Sequence, residues 1–461
     1  MKIIILILTI TCCLLVTTSN DSVQLWGMTN GGGINNQGAI IKMNEDGSNF
    51  QMIFSFGSTS GVLPYGSLLF ANNQKLYGIT HNGGLNDKGT IFSIDPASNN
   101  FSVLYNFDSI NGSFSESSLI QCNNSLLYGT TLKGGIYDGG VIFSFDISTN
   151  TLTILHNFDG LNGANPFGRL LQANNGIFYG MAAGGLHSDG VVFSFDPSTN
   201  IYSDLHDFNV SDGHGPVGDL IQANNGLLYG ITYIGGLYNN GVIFSYDISI
   251  DSLIVLHNFN PSNHRSRGTM LNVNNGLLLG LANNYLFSFN LSGNIYSDLF
   301  TLTNTTGFGC RGSIIKGSTG LLYGYGSNGG ANNFGTIFSF DTATNALINM
   351  HDFAGAPADG HQPYGDLTEV IIESVGVPSI SNTNMINIYP NPTNTSITIH
   401  QSNYSTQSTI LTVTDIFGRV IYKKTLTSTD TKIDVSKWSA GFYFYEVRAA
   451  QETYRGKILK E

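Results

Sequence analysis

LLQANNGIFYGMAAGGLHSDGVVFSFDPSTNIYSDLHDF, residues Leu170–Phe208, is the stretch that decides the fold. It contains an [LF]-Y-G triplet, a Gly-Gly loop, an I-F-S-F-D-type run and an L-H-x-F-type run. Counted on the glycine of the triplet, related copies sit at Gly27, Gly78, Gly129, Gly180, Gly230, Gly280 and Gly324, with steps of 51, 51, 51, 50, 50 and 44 residues. A fixed period of about 50 residues marks a propeller or a similar array, whose units bury their apolar faces by stacking on one another.

Each copy reads as four strands. The first is G-x-L-[LI]-Q-A, as in Gly168–Ala173 and Gly218–Ala223, and it ends at Asn-Asn-Gly. Asn-Gly between apolar runs signals a hairpin, because both residues tolerate positive φ. The second strand carries the triplet. The third is the run at Thr90–Asp95, Val141–Asp146, Val191–Asp196, Val242–Asp247 and Thr336–Asp341. It closes in an Asp-Pro or similar turn, where Asp and Asn bond nearby backbone. The fourth ends in the L-H-x-F run. Consecutive apolar positions such as Val141-Ile142-Phe143 suit sheets covered on both faces, as a blade between two neighbours is.

The ends complement one another. The first copy starts at its second strand, Leu25-Trp26-Gly27, and the last stops after a first strand, Pro363–Val370. The C-terminal end of the array therefore supplies the strand missing from its beginning, which closes the ring and removes two exposed edges. The expected fold is all-β: a seven-bladed β-propeller followed by a small C-terminal Ig-like β-sandwich. An open β-solenoid is the alternative, and it needs no complementary ends. The sixth copy, GLANNYLFSFN at Gly280–Asn290, lacks the Gly-Gly loop and predicts a short connection there.

The boundaries read as a signal peptide over 1–19, the seven repeats over 20–370, a linker over 371–385 and the tail over 386–461. One lysine precedes an apolar run from Ile3 to Val16, followed by small and polar residues, the pattern of a cleaved secretory leader. The run is shorter than the ~20 apolar residues of a spanning helix. No other stretch is long and apolar enough to span a bilayer, so no transmembrane helix is expected in the mature chain. The net charge is −12. Residues 21–382 hold 9 basic and 25 acidic side chains, a net of −16, and residues 383–461 hold 9 and 6, a net of +3. That balance excludes nucleic acid as a partner, since phosphate needs a basic patch. Cys122 and Cys310 lie in distant repeats, so no disulfide is expected between them.

Alternating loops of an up-and-down blade place the Gly-Gly loops and the loops between blades on one face, where a rigid scaffold usually carries its binding site. The candidate ligand-binding residues on that face are Tyr65, Tyr137, His214, Tyr238, His264, His361 and Tyr364, an aromatic and polar set suited to sugar rings. His156, His206, His257 and His351 recur once per blade. That spacing is too wide for one metal and predicts a repeated hydrogen bond to a turn. Asp and Asn beside the Gly-Gly loops are oxygen donors of the kind calcium takes, without the spacing of a calcium loop. No nucleophile elbow, H-E-x-x-H or phosphate loop is present, and no catalytic or metal-binding residues are assigned. The expectation is a binding module for an extracellular glycan or protein. The alternatives are an extracellular polysaccharide-acting lyase or glycosidase, or a structural surface protein.

After Val370 the repeat stops. The tail carries Y-P-N-P at Tyr389, Pro390, Asn391 and Pro392, then D-x-x-G-R with Asp415, Gly418 and Arg419. W-x-x-G-x-Y with Gly441 and Tyr443 follows, and a closing G-K-I-L-K with Gly456 and Lys457. In order and spacing these segments resemble the C-terminal sorting domain of the type IX secretion system of Bacteroidetes. The resemblance implies export, recognition of the tail by the outer-membrane translocon, and a secreted or cell-surface product. The exposed last strand suits docking by strand addition. The pattern L-Y-G-x-T-x-x-G-G…G-x-[IV]-F-S-[FI]-D, over Leu25 to about Phe353, resembles the Gloeobacter/Verrucomicrobia-type tandem repeat of surface proteins, which implies no known activity.

Overall fold

A computed structural model describes residues 22–122, 124–260, 266–273, 276–372, 386–389, 393–401, 409–415, 419–449 and 452–460. It forms two compact units, 1–374 and 375–461. Among the described residues there are strands and turns and no helix, so none is long and apolar enough to cross a membrane.

The repeat unit contains seven four-stranded antiparallel sheets. The copy quoted above builds the fourth, from Leu171–Gln172, Phe178–Ala182, Val191–Asp196 and Ile201–Asp207. The registers explain the motif. Gly180 lies opposite Phe193, and a Cβ on Gly180 would sit 2.4 Å from the Phe193 ring. The triplet glycine is therefore the space that the phenylalanine of I-F-S fills. The triplet tyrosine reaches back to the hairpin: Asn175 Nδ2 donates to Tyr179 Oη at 3.0 Å, and Asn73–Tyr77, Asn124–Tyr128 and Asn225–Tyr229 repeat the bond. The hairpin differs from the expected geometry. Only Gly176 takes positive φ (83°), while the Asn175 side chain is held by the tyrosine.

Seven apolar clusters fill the spaces between successive sheets. Trp26 and Ile40 meet Leu76 and Phe92 between the first and second, and Ile79 and Ile91 meet Leu127 and Phe143 at the next junction. The series ends with Tyr323 and Ile337 of the seventh sheet against Leu25 and Ile41 of the first. The first sheet is completed by Thr368–Ile372, which pairs with Ser22–Thr29 in the register Gln24–Val370. The ends of the array thus close on each other, as the complementary termini required. In the sixth sheet Ala282 pairs with Tyr285 across a two-residue connection, the short loop expected where the Gly-Gly pair is missing.

The recurrent histidines correct one expectation. His156 stacks flat on Tyr202 (3.9 Å, 3°), His257 on Tyr296 (4.4 Å, 6°) and His351 on Phe50 (3.5 Å, 13°). Their shared role is to bridge the outermost strands of neighbouring sheets. Turn contacts are secondary, with His351 Nε2 2.9 Å from Asp359 Oδ2 and His206 Nε2 3.3 Å from Asp212 Oδ2. Burial pushes the His156 imidazole down to about 4, so it stacks as a neutral ring at neutral pH. Cys122 and Cys310 are free, buried thiols.

The tail unit has two sheets. One joins Ile386–Tyr389, Ser396–Gln401 and Asp430–Asp434. The other runs in the order Val420–Leu426, Thr409–Thr414, Gly441–Ala449 and Glu452–Lys460, which leaves the last strand at an edge. Ile397, Ile399, Leu411, Val413, Val447 and Ile458 share one core. Several sorting-motif residues hold this unit together. Arg419 donates from its backbone N–H and from Nε to Asp415 at 3.0 and 2.7 Å. The Tyr443 ring lies 5.0 Å from that of Trp438, tilted at 52°, and its hydroxyl donates to the Ser439 carbonyl at 2.7 Å. A Cβ on Gly456 would sit 2.5 Å from Tyr445 Oη. Lys457 lies 5.8 Å from the Phe442 ring, Gly441 (φ 147°) opens its strand, and Tyr389 is exposed. Pro390, Asn391, Pro392 and Gly418 lie outside the described residues.

Candidate functional site

Where each innermost strand begins, the chain passes close to the axis of the array. Seven tripeptides meet there around one cavity of about 100 Å³: Tyr65-Gly66-Ser67, Glu116-Ser117-Ser118, Phe167-Gly168-Arg169, Val217-Gly218-Asp219, Arg267-Gly268-Thr269, Arg311-Gly312-Ser313 and Tyr364-Gly365-Asp366. The three positions do different work.

The middle position permits close approach. A Cβ on Gly168 would sit 2.3 Å from the Gly218 carbonyl oxygen, on Gly312 2.2 Å from that of Gly365, and on Gly365 2.3 Å from that of Gly66. Only Ser117 replaces glycine in this ring. The third position stitches each sheet to the next. The Ser67 N–H donates to Ser118 Oγ, Arg169 to Asp219 Oδ1, Asp219 to Thr269 Oγ1, Thr269 to Ser313 Oγ, Ser313 to Asp366 Oδ1 and Asp366 to Ser67 Oγ, all at 2.6–2.9 Å. The missing step, Ser118 to Arg169, has a chemical cause: a guanidinium has no acceptor. Arg169 turns into the bore instead, with Nε 2.9 Å from Asp219 Oδ2 and Nη1 3.8 Å from Asp366 Oδ2. Burial raises the Asp219 carboxyl and Arg169 opposes that rise.

This arrangement gives a prediction. Arg169→Met should destabilise the protein by about 2 kcal/mol at pH 7. That is below the ~3–5 of a dry pair, because 39 % of the arginine side chain stays accessible. Without the cation, the folded-state pKa of Asp219 rises further above its unfolded value. The native state then holds the extra proton, so the deficit shrinks as pH falls from 7 towards 4. Denaturation of both proteins at the two pH values checks this. An equal deficit at both would show that the pair is electrostatically idle.

The first position does not repeat. In ring order it reads Tyr65, Glu116, Phe167, Val217, Arg267, Arg311, Tyr364, while the middle position beside it is glycine in six of seven copies. Tyr65 and Tyr364 stack at 5.5 Å and 20°. The Arg311 guanidinium lies 4.2 Å over the Tyr364 ring, and that of Arg267 lies 4.6 Å over Tyr233. Glu116 faces His81 Nε2 at 3.8 Å. Burial pushes the Glu116 carboxyl up, against the charges of His81, Arg267 and Arg311. The mouth thus has a basic arc, an aromatic arc, one carboxyl and an apolar arc of Phe167 and Val217.

Of the residues singled out in the sequence, Tyr65 and Tyr364 line this cavity. The others do not. His214 pairs through Nδ1 with Asp189, and His361 Nε2 lies 2.9 Å from Asn36 Oδ1 with its ring stacked on Phe334. Tyr137 and Tyr238 are exposed on Gly-Gly loops, and His264 lies outside the described residues. The oxygens beside those loops are engaged by backbone: Gly83 N–H donates to Asp87 and Gly134 N–H to Asp138, each at 2.9 Å. Sequence reasoning missed Glu116, Arg267 and Arg311. The available signal was a position where seven otherwise similar copies disagree.

Among known families, the Gloeobacter/Verrucomicrobia repeat matches residues 14–187 and 171–285, and the secretion system C-terminal sorting domain matches 387–461. No curated protein matches. A Bacteroides fragilis protein described as a candidate 6-phosphogluconolactonase is similar in structure, with a TM-score of 0.53 and 17 % identity over 77 % of this chain and 99 % of that one. PorZ, a surface component of the type-IX secretion system of Porphyromonas gingivalis, is similar at a TM-score of 0.45 and 14 % identity, over 92 % of this chain and 63 % of that one. The extracellular domain of a one-component system from B. thetaiotaomicron gives 0.48 and 13 %, over 96 % and 57 %. The chain thus spans less than two thirds of these last two. At such identities the likeness is one of fold alone.

Proposed function

The chain belongs to the Gloeobacter/Verrucomicrobia repeat family, and we propose that it forms a seven-bladed β-propeller and that the side chains at the mouth of its central bore bind an extracellular glycan. The sorting domain makes it a secreted or cell-surface protein. With that go three further parts of the reading: a cleaved leader over 1–19, an Ig-like tail handled by the type IX translocon, and a Bacteroidetes origin. One observation carries the binding reading. Six of the seven middle positions are glycine and six of the seven third positions are short hydrogen-bonding residues, yet the first positions range over aromatic, acidic, apolar and basic side chains. A purely structural ring would repeat there too. Stacked tyrosines beside charged groups suit a sugar, whose apolar face and hydroxyls need both.

The test is calorimetry of the full secreted chain against a glycan panel. Tyr65→Ala with Tyr364→Ala should weaken binding at least tenfold, about 1.4 kcal/mol. His214→Ala with His361→Ala, outside the bore, should leave it unchanged. Loss in the histidine variant alone would move the site to the outer loops. A glycan-acting enzyme is the second reading, supported by the elevated Glu116 carboxyl beside His81. Polysaccharide turnover abolished by Glu116→Gln would establish it.

A further inference from the structure

Residues 21–382 contain only four arginines, Arg169, Arg265, Arg267 and Arg311, against 25 acidic side chains. Three of the four line the same cavity. In a unit of net charge −16 that placement needs a cause. Arg169 has one within the protein, since Asp219 and Asp366 neutralise it. Arg267 and Arg311 have none. Among the described residues neither has a carboxylate at ion-pair distance, and Glu116 acts on them only through space.

Both guanidiniums are exposed to solvent yet not free to wander. Each is laid on a tyrosine face, Arg311 on Tyr364 and Arg267 on Tyr233. Cation–π seating fixes the plane of a guanidinium while leaving its N–H edge available. Adjacent sheets contribute both arginines to the lining of this one cavity, and Arg311 sits on the Tyr364 that stacks against Tyr65. A planar fork of N–H donors is matched by a two-oxygen anion, and low-dielectric walls around a bore strengthen the attraction. A volume of about 100 Å³ admits one small group.

We propose that the bore mouth takes an anionic sugar residue, with its carboxylate or sulfate ester on Arg267 and Arg311 and its ring against Tyr65 and Tyr364. This rests on the glycan reading above and narrows it to acidic polymers. Glu116, across the ring, accepts hydroxyls and leaves the arginine side as the place for negative charge.

The test uses matched pairs of a charged sugar and its neutral form: trigalacturonate with its trimethyl ester, and a 6-O-sulfated galactobiose with unsulfated galactobiose. Calorimetry on the full secreted chain should show one charged member binding at least tenfold more tightly than its neutral partner. Raising sodium chloride should narrow that gap. Arg267→Gln with Arg311→Gln should erase it, with an unchanged unfolding temperature. Arg267→Lys with Arg311→Lys should restore part of it. Equal binding of charged and neutral members, lost in the tyrosine variant, would overturn the anion assignment and keep the glycan site. No binding of any of the four would overturn both.

Discussion

A chain ending at residue 382 is expected to fold and yet to stay in the cell. The seven sheets draw every strand from residues 22–372, and the tail has its own core around Ile397, Leu411, Val447 and Ile458. Removing 383–461 therefore takes away no strand of the array. It does remove the whole of the sorting domain, matched over 387–461. Secretion or surface display should fall from most of the protein to an undetectable fraction. Immunoblots of medium, protease-treated intact cells and lysate check this, with circular dichroism of the purified truncated chain to show that it still folds. Truncated protein in the medium at the level of the full chain would mean that the tail does not direct export. A milder version is Tyr443→Ala, which removes the ring contact with Trp438 and the bond to Ser439 and should reduce export by loosening the tail.

Val370→Asp is expected to cost at least about 4 kcal/mol, enough to unfold a large share of a marginally stable array. Val370 is fully buried, opposite Gln24, in the cluster that also holds Trp26, Met28, Phe56 and Phe92. An ionised carboxylate there has no cation partner in that cluster. The strand concerned is the one that joins the two ends of the array, so the damage falls on closure as well as on one sheet. Because burial raises a carboxyl, the deficit should be smaller at pH 4 than at pH 7. Urea titrations followed by the fluorescence of Trp26, which lies in the same cluster, give the number. A shift under about 1 kcal/mol would mean that the ends are not held together by this strand.

The architecture was legible because its causes are local. A triplet glycine makes room for a phenylalanine on the next strand, and an Asn-Asn-Gly hairpin is tied by its own tyrosine. Such features recur in most copies and can be counted without coordinates. The histidine role was misjudged because its partner, such as Tyr202 for His156, belongs to the next copy. Nothing in the spacing of one copy shows what lies across the gap between sheets.

The sequence by itself determined the seven copies, their strand order, the complementary ends and the sorting tail, since each depends on residues near one another in the chain or on a fixed period. Only the tertiary structure decided the bore. Tyr65 stacks on Tyr364 although 299 residues separate them, and Arg169 lies between Asp219 and Asp366. Ring closure draws the seven inner strands to one axis, so the first position of each tripeptide, which differs from copy to copy, becomes part of the lining of one cavity. A site assembled from one residue per repeat has no sequence neighbourhood, and it comes into being when the last sheet packs against the first.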